Sequence, residues 1–256
     1  MDTTLITEAV KAVHDSEIAL VFVGSSSTAF VRHSNEPSTS GEGIDLSDIS
    51  LTGAQEQLIR SVCATGKPVV VVLVAGKPFA IPYIKEKVPA ILAQWYAGEQ
   101  AGNSIADILF GKVNPSGKLP FSFPQSTGHL PAYYNYLPTD KGYYKEPGTY
   151  TSPGRDYVFS SPAPLWTFGH GLSYTRFEYV QATTDKTSYQ PHDTIRISVK
   201  VKNSGKLAGK EVVQIYIHDV VSTVMTPVKQ LKGFKKIELQ LSLIHISEPT
   251  RHAQIS

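Results

Sequence analysis

Apolar positions in the first half of the chain follow two alternating rhythms. Leu5, Ala9, Val10 and Val13 fall on one helical face. Glu17 to Gly24 is a short apolar run that closes on glycine and predicts a buried strand. Thr52-Gly-Ala-Gln55 has the form of a capping box, an N-cap hydroxyl answered by a Gln three residues on. The helix it predicts runs to about Thr65, with Ala54, Leu58 and Val62 on its apolar face. Val69 to Ala75 is apolar on both faces, as a central parallel strand must be. A short helix around Phe79 to Lys87, a strand over Ala90 to Tyr96 and a helix over Ala101 to Phe110 complete the series. Such β-α-β alternation predicts an α/β domain over residues 1–124, with a mainly parallel sheet covered by helices.

The pattern then changes twice. Residues 125–176 hold many Pro, Gly and Tyr residues with little periodicity and predict an irregular wrapping segment. Aromatic rings here, Tyr133 and Tyr134 among them, are suited to stacking on sugar rings or to packing against the main domain. From 177 to 240 the alternation is β-like. Thr194 to Val201, a turn at Asn203-Ser-Gly205 and Glu211 to His218 suggest a β-sandwich of the immunoglobulin or fibronectin type. Such a domain takes about seven strands. About four fit before Gln240, so the sandwich is expected to be truncated, with unpaired edges and poor order beyond residue 177.

One connection is too long for its place. Ser25 to Leu51 separates a strand from its helix, where about 2–6 residues are usual. The segment is rich in Ser, Thr, Gly and acidic residues and leaves the carboxyl end of its strand, where open α/β sheets bind ligands. Its carboxylates are the first candidates for chemistry.

Composition narrows the classes. The 256 residues are 41% hydrophobic and 18% charged, as in a folded globular protein, with a formal charge of +2 and no basic block, so nucleic acid is not an expected partner. No apolar run approaches the ~20 residues of a membrane span. Residues 1–16 lack the basic start and apolar core of a signal peptide. The single cysteine, Cys63, excludes an internal disulfide and is expected to be a buried structural thiol. The eight His are scattered without metal-ligand spacing, so no metal or cofactor is expected, and His170 reads as part of a turn. No G-x-S-x-G or G-x-G-x-x-G pattern stands where a hydrolase elbow or dinucleotide site needs it. Glu99 precedes a helix and is suited to its N-terminus electrostatically.

Three stretches carry a resemblance. They are Gly98-Glu-Gln-Ala-Gly-Asn-Ser-Ile-Ala-Asp-Ile-Leu-Phe-Gly111 followed by Asn114-Pro-Ser-Gly-Lys-Leu-Pro-Phe-Ser-Phe-Pro124, then Trp166-Thr-Phe-Gly-His-Gly-Leu-Ser-Tyr-Thr-Arg-Phe-Glu-Tyr179, then Val228-Lys-Gln-Leu-Lys-Gly-Phe234. In this order and spacing, nearly all of residues 1–240 resembles the C-terminal half of family 3 glycoside hydrolases, the β-glucosidases and β-xylosidases. The resemblance implies an α/β sandwich domain followed by a truncated fibronectin type III-like domain. It also implies an N-terminal barrel outside this chain, which supplies the nucleophilic Asp and most sugar contacts. The expected partners are that barrel and a β-linked oligosaccharide or glycoside; the expected setting of the parent is the bacterial periplasm or the exterior.

The family carries its acid/base after an early strand, often as Glu-Gly-x-Asp-Arg ahead of a helix. The matching stretch is Ser40-Gly-Glu-Gly-Ile-Asp-Leu-Ser-Asp48. By resemblance Glu42 is the acid/base, and the long connection points to the same segment independently. Glu36, Asp45 and Asp48 are the alternatives. Leu46 stands where many members have arginine and Thr52 where proline is common, which weakens the local match. With no partner carboxylate or barrel wall beside it, Glu42 is expected to be exposed and to titrate ordinarily. Three readings remain open: a β-glycosidase fragment inactive alone, a non-catalytic carbohydrate-binding or interaction module, and an unrelated nucleotide-binding α/β protein.

Both ends look unnatural. Met1 is expected to fall inside the first helix, as at an internal start. The run from Leu241 to Arg251 resembles a translated sequencing-library adapter, so residues 241–256 are expected to be a non-native tail.

Overall fold

The computed structural model describes residues 3–27, 39, 45–138, 148–152, 157–190, 193–241 and 244–247. The chain divides into two compact units. The first comprises Met1–Ile105, Ser122–Ala132 and Tyr144–Trp166; the second comprises Ala106–Phe121, Tyr133–Tyr143 and Thr167–Ser256. The irregular stretch predicted over 125–176 therefore contributes to both.

The first unit is built on three parallel strands, β1 (Ala19–Gly24), β2 (Val69–Val74) and β3 (Ala90–Ala93), in the order β1-β2-β3. Consecutive parallel strands need crossovers, and helices supply them. These are α2 (Gln55–Cys63) between β1 and β2, and α3 (Pro82–Lys87) between β2 and β3. Helix α1 (Ile6–His14) precedes β1 and packs beside α2. The core is continuous: Val71 and Val72 of β2, Ile59 and Val62 of α2, Ile81 and Ile84 around α3, and Phe79 are all at or near zero exposure.

Three expectations change here. Strand β1 is not buried on both faces: Ala19, Val21 and Val23 are buried, while Leu20 and Phe22 are about half exposed. It lies at one side of the described sheet, and its buried residues alternate with exposed ones. Helix α2 buries Val62 of its expected apolar face, leaves Ala54 and Leu58 half-buried, and also buries Ile59. Cys63 is half-buried, and that burial raises its thiol above the ordinary range, offset by a hydrogen bond with Tyr83.

Helix α4 (Ala101–Leu109) follows β3 and buries Ile105. The described strands of the second unit are antiparallel. Strands β4 (Phe177–Thr184), β5 (Ile197–Asn203) and β8 (Ile244–Ser247) form one sheet in the order β4-β5-β8, and β6 (Gly209–Ile217) pairs with β7 (Gln230–Leu239) in another. Val199, Val201, Val213, Ile237 and Leu239 form its core. Four strands precede Gln240. The fifth, β8, falls in the adapter-like run; its alternating Ile-His-Ile-Ser pattern suits pairing with the open edge of β5 whatever its origin.

Candidate functional site

The carboxyl ends of β1, β2 and β3 bring together residues far apart in sequence. Gly24 and Ser25 leave β1, Ala75-Gly76-Lys77 leave β2, and Gln94-Trp95-Tyr96 leave β3. Tyr96 reaches back over the end of β2 to β1, where its hydroxyl donates to the Ser25 carbonyl at 2.8 Å and lies 3.1 Å from Ser25 Oγ. Gly76 makes this path possible, because a Cβ there would stand 2.9 Å from the Tyr96 ring. Trp95 holds a left-handed backbone with φ 60°, a conformation that costs a non-glycine residue about 1–2 kcal/mol. Aromatic packing holds that turn, with the Trp95 ring 6.3 Å from Phe123 and Phe123 edge-on to Trp166 at 5.5 Å.

Gln55 secures the end of β1. Its Oε1 accepts from the Gly24 N–H at 2.6 Å, and its Nε2 donates to the carbonyls of Gly24 and Thr52, both at 3.0 Å. The predicted capping box is therefore not formed: Ala54 is the N-cap residue and has no side-chain cap, and the Gln55 amide is shared between Thr52 ahead of its helix and the end of β1. Both uses place a Gln three residues after a Thr, so the sequence pattern does not separate them.

Thr39 is the one described residue between Ser27 and Asp45. Its N–H donates to the Ser26 carbonyl at 3.2 Å, and its Oγ1 accepts from the Ser26 N–H at 3.1 Å. Its carbonyl accepts from Lys77 Nζ at 3.2 Å. Glu42 lies outside the described residues, as does the alternative Glu36. Glu42 stands three positions after Thr39 and three before Asp45 in the sequence. Asp45 is exposed.

Asp48 is exposed, and its Oδ1 accepts from the Ser50 N–H at 2.8 Å. That bond, the Ser50 hydroxyl, the Lys77 charge and Thr127 hold its carboxyl below the usual range. An acid that must donate a proton near neutral pH needs the opposite shift. Lys77 is half-buried, and burial pushes its ammonium below the ordinary lysine range, with Tyr96 and Asp48 opposing. Neither Lys77 nor Tyr96 stands out in the sequence, and Gln55 stands out there only as part of a capping box.

The two tyrosines proposed for sugar stacking lie in the second unit. Tyr133 is exposed. Tyr134 stacks on Phe168 at 4.1 Å, meets Tyr216 edge-on at 6.0 Å, and its hydroxyl accepts from the Leu231 N–H.

Polar residues of the motif stretches form a framework here. Asn114 Oδ1 accepts from Ser173 Oγ and the Tyr174 N–H, and its Nδ2 donates to the Ala208 carbonyl. Lys118 donates to the Gly171 carbonyl at 3.0 Å and to Glu211 at 3.1 Å. Tyr179 donates to the other Glu211 oxygen at 3.0 Å; burial first, and then this carboxylate, raise the phenol far above its ordinary range. Lys118, Tyr179 and Glu211 border an open, mainly polar cavity of about 320 Å³ with Gln214, Tyr216 and Lys229. His170 sits in a tight turn, its N–H donating to the Thr167 carbonyl, as the sequence predicts. Among the described residues, no group of three or more His, Cys, Asp or Glu could hold a metal, and no helix is long and apolar enough to cross a membrane.

Comparison with known proteins follows the same lines. Residues 2–174 match the glycosyl hydrolase family 3 C-terminal domain, and residues 211–242 match a fibronectin type III-like domain. The chain is 41% identical over 237 residues to a β-xylosidase of Formosa agariphila, with 91% of this chain and 30% of that protein covered. It is 41% identical to a periplasmic β-glucosidase of Salmonella typhimurium, covering 92% of this chain and 29% of that protein. The crystal structure of a β-glucosidase from Listeria innocua matches 98% of this chain with a TM-score of 0.84 at 33% identity, over 33% of its own length. The chain thus spans about a third of the length of these relatives. The parallel sheet, the fibronectin-like strands and these matches together show that the chain belongs to glycosyl hydrolase family 3, over the C-terminal part of that architecture.

Proposed function

We propose that this chain is the acid/base-bearing part of a retaining β-glycosidase that removes terminal β-linked glucose or xylose, and that Glu42 is its acid/base. A retaining enzyme needs two carboxyl groups about 5–5.5 Å apart, one attacking the anomeric carbon and one protonating the leaving oxygen and then activating water. In this reading Glu42 is the second, and an N-terminal barrel carries the nucleophile and most sugar contacts. The chain alone is then inactive.

The observation that supports the reading best is the anchoring of Thr39. The segment bearing Glu42 starts from a residue tied to the carboxyl ends of β1 and β2, where open α/β sheets place their ligands. Asp48, held ionised, suits anchoring better than proton donation. The relatives favour the substrate class: the Listeria protein has been solved with laminaribiose, a β-linked disaccharide. Tyr133, with its exposed ring, suits a sugar contact; Tyr134 is already engaged with Phe168.

The test joins this chain behind the preceding part of the Salmonella relative, which this chain does not cover, and measures hydrolysis of aryl β-glucosides and β-xylosides. Turnover is expected from the joined protein and not from the chain alone. Glu42→Gln should lower kcat/KM by about 10²–10⁴-fold for a substrate whose leaving group needs protonation. Undiminished activity in that variant, or turnover by the chain alone, would overturn the proposal.

A further inference from the structure

The cavity of about 320 Å³ in the second unit has opposite charges in its wall. The Lys118 ammonium and the Glu211 carboxylate both border it, with side chains 17% and 10% exposed. A buried ion pair adds little stability over a well-packed apolar pair, so its place beside an opening points to more than packing. An ammonium has three donors and a carboxylate about four acceptor sites. Lys118 uses two donors within the protein, on the Gly171 carbonyl and on Glu211. Glu211 accepts one bond at each oxygen, from Lys118 and from Tyr179. Both groups keep capacity for a ligand.

Two further groups border the same space. The Gln214 amide is fixed by its neighbours: Oε1 accepts from the Tyr216 hydroxyl at 2.6 Å and Nε2 donates to the Gly169 carbonyl at 3.1 Å, which leaves the second Nε2 hydrogen over. Gly169, with φ 81°, is needed for this approach, because a Cβ there would collide with Gln214 Oε1. Lys229 is exposed, and its ammonium lies 5.4 Å from the Tyr216 ring centroid. Among the described residues it has no carboxylate partner.

A molecule in this cavity meets donors from Lys118, Gln214 and Lys229 beside one carboxylate. A hydroxyl group satisfies both kinds, since it accepts from an ammonium and donates to a carboxylate. Glu211 would repel a phosphate or sulfate, and the two lysines would repel a cation. Phe168 and Tyr216 add ring surface for C–H groups. The volume is at the lower end of ligand pockets, about 300–1,000 Å³, and suits one sugar ring better than a chain of them. We propose that this cavity binds a single uncharged pyranose unit, held by Lys118, Glu211, Gln214 and Lys229. None of these residues is assigned to the chemistry, so this site and Glu42 stand or fall separately.

The test titrates this chain with methyl β-glucoside and with methyl β-xyloside and follows the backbone amides by NMR. Saturable shifts are expected at Gly169, Gln214 and Tyr216, with a Kd on the order of 1 mM. Lys229→Met, on the exposed rim, should weaken binding about tenfold and leave the urea midpoint unchanged. Glu211→Gln keeps the side-chain shape and should weaken binding by at least about tenfold. Inorganic phosphate should not displace the glycoside. Cellotetraose distinguishes the source of the sugar: affinity equal to that of the glucoside marks a free sugar unit, tighter affinity the end of a glycan, and both support the site. Absence of saturable shifts with either glycoside, displacement by phosphate, or unchanged affinity in both variants would overturn the proposal.

Discussion

In the second unit, Asn203 is fully buried and uses all of its side-chain capacity. Its Oδ1 accepts from Thr175 Oγ1 and the Gly205 N–H, and its Nδ2 donates to the carbonyls of Leu207 and Leu239. Glu211 is likewise buried and shared between Lys118 and Tyr179. At the sheet end of the first unit, by contrast, the charged groups stay half-buried or exposed, a tryptophan is held in a left-handed conformation, and Thr39 is bonded to both Ser26 and Lys77. One set of polar groups bonds mainly within its own unit and serves as scaffold. The other leaves the Lys77 ammonium and the Asp48 carboxylate at the end of the sheet without such extensive internal bonding.

The largest expected effect tests the scaffold. Glu211→Ala leaves the Lys118 ammonium, 17% exposed, without its carboxylate and should destabilise the second unit by about 3 kcal/mol. Urea denaturation, with hydrogen exchange in β6 and β7 as the local readout, measures it. The Lys118→Met/Glu211→Ala double variant should lose clearly less than the two singles combined. A loss below about 0.5 kcal/mol in the single variant would mean that the pair is not scaffold.

A smaller effect sharpens the other side of the comparison. Gln55→Ala leaves the Gly24 N–H without its acceptor and should cost about 1–2 kcal/mol. The same variant should loosen exchange at Gly24 and Ser25 while sparing β2. If Gly24 stays as protected as before, Gln55 does not secure the end of β1.

The smallest effect is a pH dependence in the first unit. His129 stacks on Tyr157 at 3.9 Å and lies between Ser126 and Ser160. Burial pushes its imidazole below the ordinary value of 6.5, outweighing the bond with Ser161. The unfolded chain therefore takes up a proton before the folded one as pH falls. The stabilisation is present above about pH 6.5 and is lost progressively below it. The urea midpoint should fall between pH 7.5 and 5.5, and less steeply in His129→Asn. Equal slopes in the two proteins would assign the dependence to other groups.

Much of the fold was legible in advance because burial imposes periodicity. Val69 to Ala75 is apolar on both faces and forms the middle strand; the alternation after Thr194 became β5 and β6. The motif stretches were legible for a different reason: Asn114, Lys118, Gly169, Gly171 and Tyr174 hold the second unit together, so their spacing reflects a shared framework. Strand β1 was misread as fully buried because an apolar run does not say which face will be covered. Gln55 was misread because a cap and a strand tether look alike in sequence.

The sequence by itself determined the order of elements and the family. Each of these is written in neighbouring residues or in a repeating period. Only the tertiary structure decided that Lys77, Tyr96, Ser25 and Thr39 meet. Their contacts span up to 71 positions of chain and follow from the parallel stacking of three strand ends, which leaves no mark in any local pattern.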